Sequence, residues 1–168
     1  MARESGIRVE VCINDQDGTF TPHTTNSDLG VAGICRDVEL ADVDGDGDLD
    51  CIVARGANTA NRDELLFLNE GDGFFSDEPI VLPNGGNNTI NLEFGDLDND
   101  GDIDLLPAHT SSTNTFILND GTGNFQAFVP TPGWANSRHV FAADMNGDGI
   151  LDVVAATQNS RLQVYLAD

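Results

Sequence analysis

The sequence predicts an all-β fold built from about three repeats of four short antiparallel strands. Two patterns predict it: an acidic, glycine-punctuated nonapeptide found three times, and an Asn-to-Phe heptapeptide found three times out of phase with it. The nonapeptides begin at Asp42, Asp96 and Asp144, 54 and then 48 residues apart. Apolar runs of strand length flank each copy, and no stretch shows the 3.6-residue spacing of an amphipathic helix. A period near fifty residues with four strands per period is the pattern of β-propeller blades.

In chain order, the first clear strand is residues 9–13, followed by Asn14-Asp15-Gln16-Asp17-Gly18-Thr19-Phe20. The same register returns as residues 65–68 before Asn69-Glu70-Gly71-Asp72-Gly73-Phe74-Phe75, and as residues 115–118 before Asn119-Asp120-Gly121-Thr122-Gly123-Asn124-Phe125. Each heptapeptide opens on Asn, has Gly fifth and ends on Phe. Gly permits positive φ, so each reads as a hairpin whose Phe anchors the returning strand in the core. Runs 33–41, 90–95 and 138–143 precede the acidic loops, and runs 49–54, 103–108 and 151–156 follow them. Each repeat is therefore strand, acidic loop, strand, variable loop, strand, hairpin, strand. The last strand, 162–166, and the first, 9–13, both match the third strand of a repeat.

The acidic loops are Asp42-Val43-Asp44-Gly45-Asp46-Gly47-Asp48-Leu49-Asp50, Asp96-Leu97-Asp98-Asn99-Asp100-Gly101-Asp102-Ile103-Asp104 and Asp144-Met145-Asn146-Gly147-Asp148-Gly149-Ile150-Leu151-Asp152. Carboxylates this close repel one another unless a cation sits among them. The first, third, fifth and ninth positions offer side-chain oxygens. The seventh, Asp48, Asp102 or Ile150, needs to contribute only a backbone carbonyl, which an isoleucine supplies as well as an aspartate. Oxygen donors without His or Cys favour Ca2+, about three ions per chain. An EF-hand loop would carry Glu at its twelfth position and run into a helix. Here Val53, Pro107 and Ala155 stand there, inside strand-like runs.

The pattern Asp-x-Asp-x-Asp-Gly-x-x-Asp, an apolar strand, then Leu-Asn-x-Gly-x-Gly-x-Phe resembles the FG-GAP or VCBS repeat of integrin α-subunit propellers and of many bacterial surface and secreted proteins. The resemblance covers nearly the whole chain, as a single repeat domain over residues 1–168. It implies the ligands Asp42, Asp44, Asp46 and Asp50; Asp96, Asp98, Asp100 and Asp104; and Asp144, Asn146, Asp148 and Asp152. The backbone oxygens of Asp48, Asp102 and Ile150 would complete the three sets. It further implies that the ions are mainly structural and pin the loop between the first two strands of a blade. Three repeats do not close a ring. Open blade faces and strand edges therefore predict either a homo-oligomer, two chains giving the simplest closed ring, or the remainder of a larger propeller.

Net charge is −22, and all seven basic residues are Arg. Nucleic acid is thereby disfavoured as a partner, as is an anionic membrane surface, and no run is long enough for membrane insertion. The amino-terminal stretch has no apolar run and so reads as no signal peptide. Extracellular calcium fills such sites more readily than cytosolic calcium, which favours an excised piece of a secreted or cell-surface parent. Cys12, Cys35 and Cys51 fit no metal or redox spacing and read as small buried side chains, one disulfide among them remaining open.

His23, His109 and His139 are scattered and no catalytic motif is present, so the reading is not an enzyme. Binding is expected on the variable loops, with Trp134, Arg55 and His109 as candidate contacts to a glycan or protein ligand. The function expected is therefore a calcium-binding module for extracellular adhesion or for carbohydrate or protein binding. The alternatives are a structural self-assembly module, or an accessory propeller part of a secreted polysaccharide-degrading enzyme.

Overall fold

The computed structural model describes residues 9–22, 29, 34–56, 62–71, 73–83, 87–110, 112–128, 135–158 and 162–167. Among them there is no helix. Strands β1 (Cys12–Asn14) and β2 (Phe20–Pro22) form a two-stranded ribbon. The first full sheet contains β3 (Cys35–Ala41), β4 (Asp50–Arg55), β5 (Leu65–Phe67) and β6 (Ile80–Val81). The second contains β7 (Thr89–Gly95), β8 (Asp104–His109), β9 (Phe116–Asn119) and β10 (Phe125–Phe128). The third contains β11 (Ser137–Ala143), β12 (Asp152–Thr157) and β13 (Leu162–Tyr165). Strands pair antiparallel and in chain order throughout.

The first strands of the three sheets are neighbours, β3 beside β7 and β7 beside β11, so the sheets succeed one another as blades. Every residue of β4 and of β8 is buried, which explains why both read as continuous apolar runs rather than alternating ones. On β4, Ile52 and Ala54 face the second blade, where with Leu66 they meet Leu92, Leu105 and Ile117. Cys51 and Val53 face the other way, into a cluster with Phe67, Phe75 and Leu29. Leu106 and Ala108 of β8 repeat the arrangement against Val140, Val153 and Ala155. Each fully buried Leu or Ile in these layers contributes about 1.5–3 kcal/mol.

Polar staples reinforce the layers. A β-bulge interrupts the same point of each first strand, between Cys35 and Asp37, Thr89 and Asn91, and Ser137 and His139. The residue after it reaches the next blade. The Asp37 carboxylate accepts the N–H of Leu92 at 2.8 Å and the Asn91 amide at 3.2 Å, and the Asn91 carbonyl oxygen accepts the N–H of Val140 at 3.0 Å.

The two ends of the array differ from its middle. Val38 is 49% exposed, although the matching Leu92 and Val140 are fully buried. At the far end Phe141, Val154 and Val164 lie opposite one another across β11, β12 and β13, and Phe141 and Val164 are exposed. Residues before β3 act as the outer half of a preceding blade: Leu29 N–H donates to Val9 O just as Leu82 N–H donates to Glu64 O.

Three expectations need correction here. The first strand is only Cys12–Asn14 rather than residues 9–13. Phe20 is 63% exposed, unlike Phe75 and Phe125 at 7% and 9%. Cys12 is exposed and Cys35 half-buried, only Cys51 being buried, and all three thiols are free. Among the described residues the ribbon has only its two strands, and Cys12 and Phe20 on it lie in solvent.

Candidate metal centres

Each acidic nonapeptide joins the first two strands of a blade: β3 to β4, β7 to β8, β11 to β12. Glycines at the tight points have positive φ, Gly45 and Gly47 in the first loop, Gly101 in the second, Gly147 and Gly149 in the third. Asn99 takes the same left-handed conformation, which Asn tolerates better than most residues. This curl brings the carboxylates of Asp42, Asp44 and Asp50 together with ligand atoms within 4.8 Å of one another, and likewise those of Asp96, Asp98 and Asp104. Those are the first, third and ninth positions. In the third loop the third-position donor is the Asn146 amide, so Asp144 and Asp152 would share an ion with a neutral oxygen.

The fifth-position residues Asp46, Asp100 and Asp148 lie outside the two clusters. Each accepts the backbone N–H two residues on, from Asp48, Asp102 and Ile150. The first-position carboxylates also organise the loop. Asp42 accepts from Gly45 and Gly47, Asp96 from Asp100 and Gly101, and Asp144 from Gly147 and Gly149. These bonds hold the Asp144 carboxyl below its usual range, the Gly147 N–H contributing most.

The ninth-position aspartates have a second role that spacing alone does not reveal. Asp50, Asp104 and Asp152 are fully buried. One oxygen of each accepts the N–H of the loop's own second residue, Val43, Leu97 or Met145, at 2.8–3.0 Å. The other accepts an N–H just beyond the third strand or at its end, from Asn69, Asn119 or Ala167, at 2.8–2.9 Å. The carboxylate thus ties the loop to the blade and keeps lone pairs for an ion. Burial pushes the Asp50 and Asp104 carboxyls up, the donated N–H groups pull them back, and the neighbouring loop carboxylates add to the rise. A divalent cation would relieve that repulsion.

The all-oxygen donor sets and the glycine curl fit a hard cation such as Ca2+, which Asp42, Asp44 and Asp50, and Asp96, Asp98 and Asp104, could hold. The seventh-position carboxylates lie against hairpin glycines. A Cβ on Gly121 would stand 2.6 Å from the Asp102 oxygens, and one on Gly71 3.3 Å from Asp48 Oδ2. The second blade's hairpin also grips the first blade's loop, since Asn119 Nδ2 and the Gly123 N–H both donate to Val43 O, at 2.7 and 3.1 Å.

The remaining candidate residues are dispersed. Trp134 lies outside the described residues. Arg55 and His109, expected on variable loops, instead end strands β4 and β8 and are 5% and 0% exposed. Arg55 Nε donates to Asp63 O, and His109 Nδ1 lies 3.2 Å from Thr113 O. Burial lowers the basicity of the His109 ring.

Antiparallel sheets that succeed one another, each with an oxygen-lined loop between its first two strands, define a β-propeller repeat protein. A family model described as FG-GAP-like repeat matches residues 3–53, 51–107 and 108–167. The chain belongs to the FG-GAP-like repeat family, with three repeats forming part of a propeller. Comparison with curated proteins finds no match.

Proposed function

We propose that this chain is a non-enzymatic, calcium-stabilised propeller module of an extracellular or cell-surface protein, and that it works by association with a glycan or protein. The observation that carries the metal part is the convergence of Asp42, Asp44 and Asp50, and of Asp96, Asp98 and Asp104, on common points 4.8 Å or less across. Calorimetric titration with Ca2+, with Mg2+ as control, tests it. Saturable binding near three ions per chain supports the reading, and no heat above that of a variant carrying Asp44→Ala and Asp98→Ala overturns it.

A second reading, assembly with another copy or with the remainder of a larger propeller, is favoured by one observation. The apolar positions that meet a neighbouring blade within the chain lie open at its two ends, as Val38 and Leu40 on β3, which match Leu92 and Phe94, and as Val164 on β13, which matches Leu66. Light scattering in millimolar calcium tests self-assembly, a monomer at high concentration excluding it. A glycan array tests the ligand. With Arg55 and His109 enclosed, contacts would come from other residues.

A further inference from the structure

Glu64 is the residue immediately before β5, and it is fully buried. It sits at the junction of the first two blades, on the opposite ends of the strands from the metal loops. Its Oε1 accepts the hydroxyl of Thr89, the first residue of β7, through a short hydrogen bond, while Oε2 has no hydrogen-bond partner among the described residues. Its own carbonyl accepts the N–H of Leu82 at 3.0 Å.

The next junction has the same architecture with different chemistry. Counting back from the hairpin asparagines Asn69 and Asn119, Glu64 corresponds to Asn114, and the strand starts make Thr89 correspond to Ser137. Asn114 Nδ2 donates to Ser137 Oγ at 2.7 Å, and its Oδ1 accepts the His109 N–H at 2.9 Å. A neutral amide with both ends bonded thus occupies the second junction. A carboxyl with one oxygen unpaired occupies the first.

A buried carboxyl without a full set of donors is tolerated as the neutral acid and penalised as the anion. The charged neighbours of Glu64 are Asp63 beside it and Arg55 at the end of β4, and β7 presents only the Thr89 hydroxyl. The Arg55 Nε is already engaged with the Asp63 carbonyl. We infer that the junction between the first and second blades is a proton-dependent latch, closed when Glu64 is protonated and loosened when it ionises, whereas the Asn114 amide in the matching place of the second junction has no proton to lose in this range.

The direction follows from linkage. In the unfolded chain Glu64 ionises around 4.5, whereas burial, the largest influence, pushes it up to about 7 in the fold. The folded state holds its proton longer, so Glu64 costs stability progressively as pH rises from 4.5 to about 7, and the cost is constant above that. Glu64→Gln removes the ionisation and approximates the amide of the second junction.

The test is the unfolding equilibrium of the full chain and of Glu64→Gln in urea, at fixed calcium, from pH 4.5 to 8. The variant should gain on the wild type by roughly a hundredfold in the unfolding constant across that range. A gap that does not change with pH overturns the latch, because a purely structural effect of the amide would be the same at each pH. Should the variant not fold, carbon-13 titration of the wild-type Glu64 carboxyl decides. A midpoint near 7 supports the latch, and one near 4.5 overturns it. Neither readout depends on where metal binds.

Discussion

The side-chain amide of Asn119 donates to the carbonyl of Val43 over 2.7 Å, joining two residues 76 apart in sequence and one blade apart in space. The same nitrogen lies 3.2 Å from the carbonyl of Ile103 in its own blade's loop. Asn69, its counterpart one blade earlier, donates to Leu49 O in its own loop and is more exposed. Asn119 therefore couples two acidic loops.

Asn119→Ala should cost about 1–3 kcal/mol, because it removes the amide's bonds to Val43 O and Ile103 O and leaves Val43 O with the Gly123 N–H alone. Asn69→Ala should cost less. Urea unfolding of both variants in calcium checks the order. Equal losses would show that the bond between blades contributes nothing beyond the local one.

Chelation should lower the melting temperature, since an ion that binds only the folded loops stabilises by about 2.7 kcal/mol per site at a hundredfold excess over its Kd. Differential scanning calorimetry with calcium and then with EDTA measures it. An unchanged midpoint would mean that the loops stand by their hydrogen bonds alone.

The ninth- and fifth-position aspartates should separate structure from coordination. Asp50→Ala leaves the N–H groups of Val43 and Asn69 without acceptors and should destabilise by about 2–5 kcal/mol even in chelator. Asp46→Ala removes an exposed turn bond and should change stability in chelator by less than about 1 kcal/mol. The comparison is made by paired urea titrations with and without calcium.

Thiol labelling should follow exposure. Burial pushes the Cys51 thiol up to about 12, which withholds its thiolate at neutral pH, whereas Cys12 lies open on the ribbon. Brief alkylation of the native chain followed by peptide mass spectrometry should mark Cys12 before Cys51. Early labelling of Cys51 would show that the first blade opens readily.

Much of the fold was legible because its signals are local. Glycine-spaced aspartates, Asn-to-Phe turns and apolar runs each report on a few neighbouring residues, and their repetition placed β4, β8 and β12 close to where they lie. What was not legible depends on the neighbouring blade. Phe20 carries the same hairpin signature as Phe75 and Phe125, yet its burial requires further strands, and among the described residues the ribbon has only two. Arg55 and His109 read as loop residues because the apolar run stops before them. They are enclosed because each strand extends one residue further, opposite Cys35 and Thr89. The clamp made by Asp50, Asp104 and Asp152 was hidden for a related reason, since the partners Asn69 and Asn119 lie 19 and 15 residues away and belong to another motif.

The staples from Asp37 to Leu92 and from Asn91 to Val140 all point the same way along the array. In these two staples the earlier blade supplies the acceptor and its successor the donor, so the series has a direction, as a screw thread does. The third place in that series belongs to His139, exposed on β11, where the two preceding blades carry a carboxylate and an amide. A blade docked after the third would therefore meet an imidazole, so that joint would speak a different chemical language from the first two.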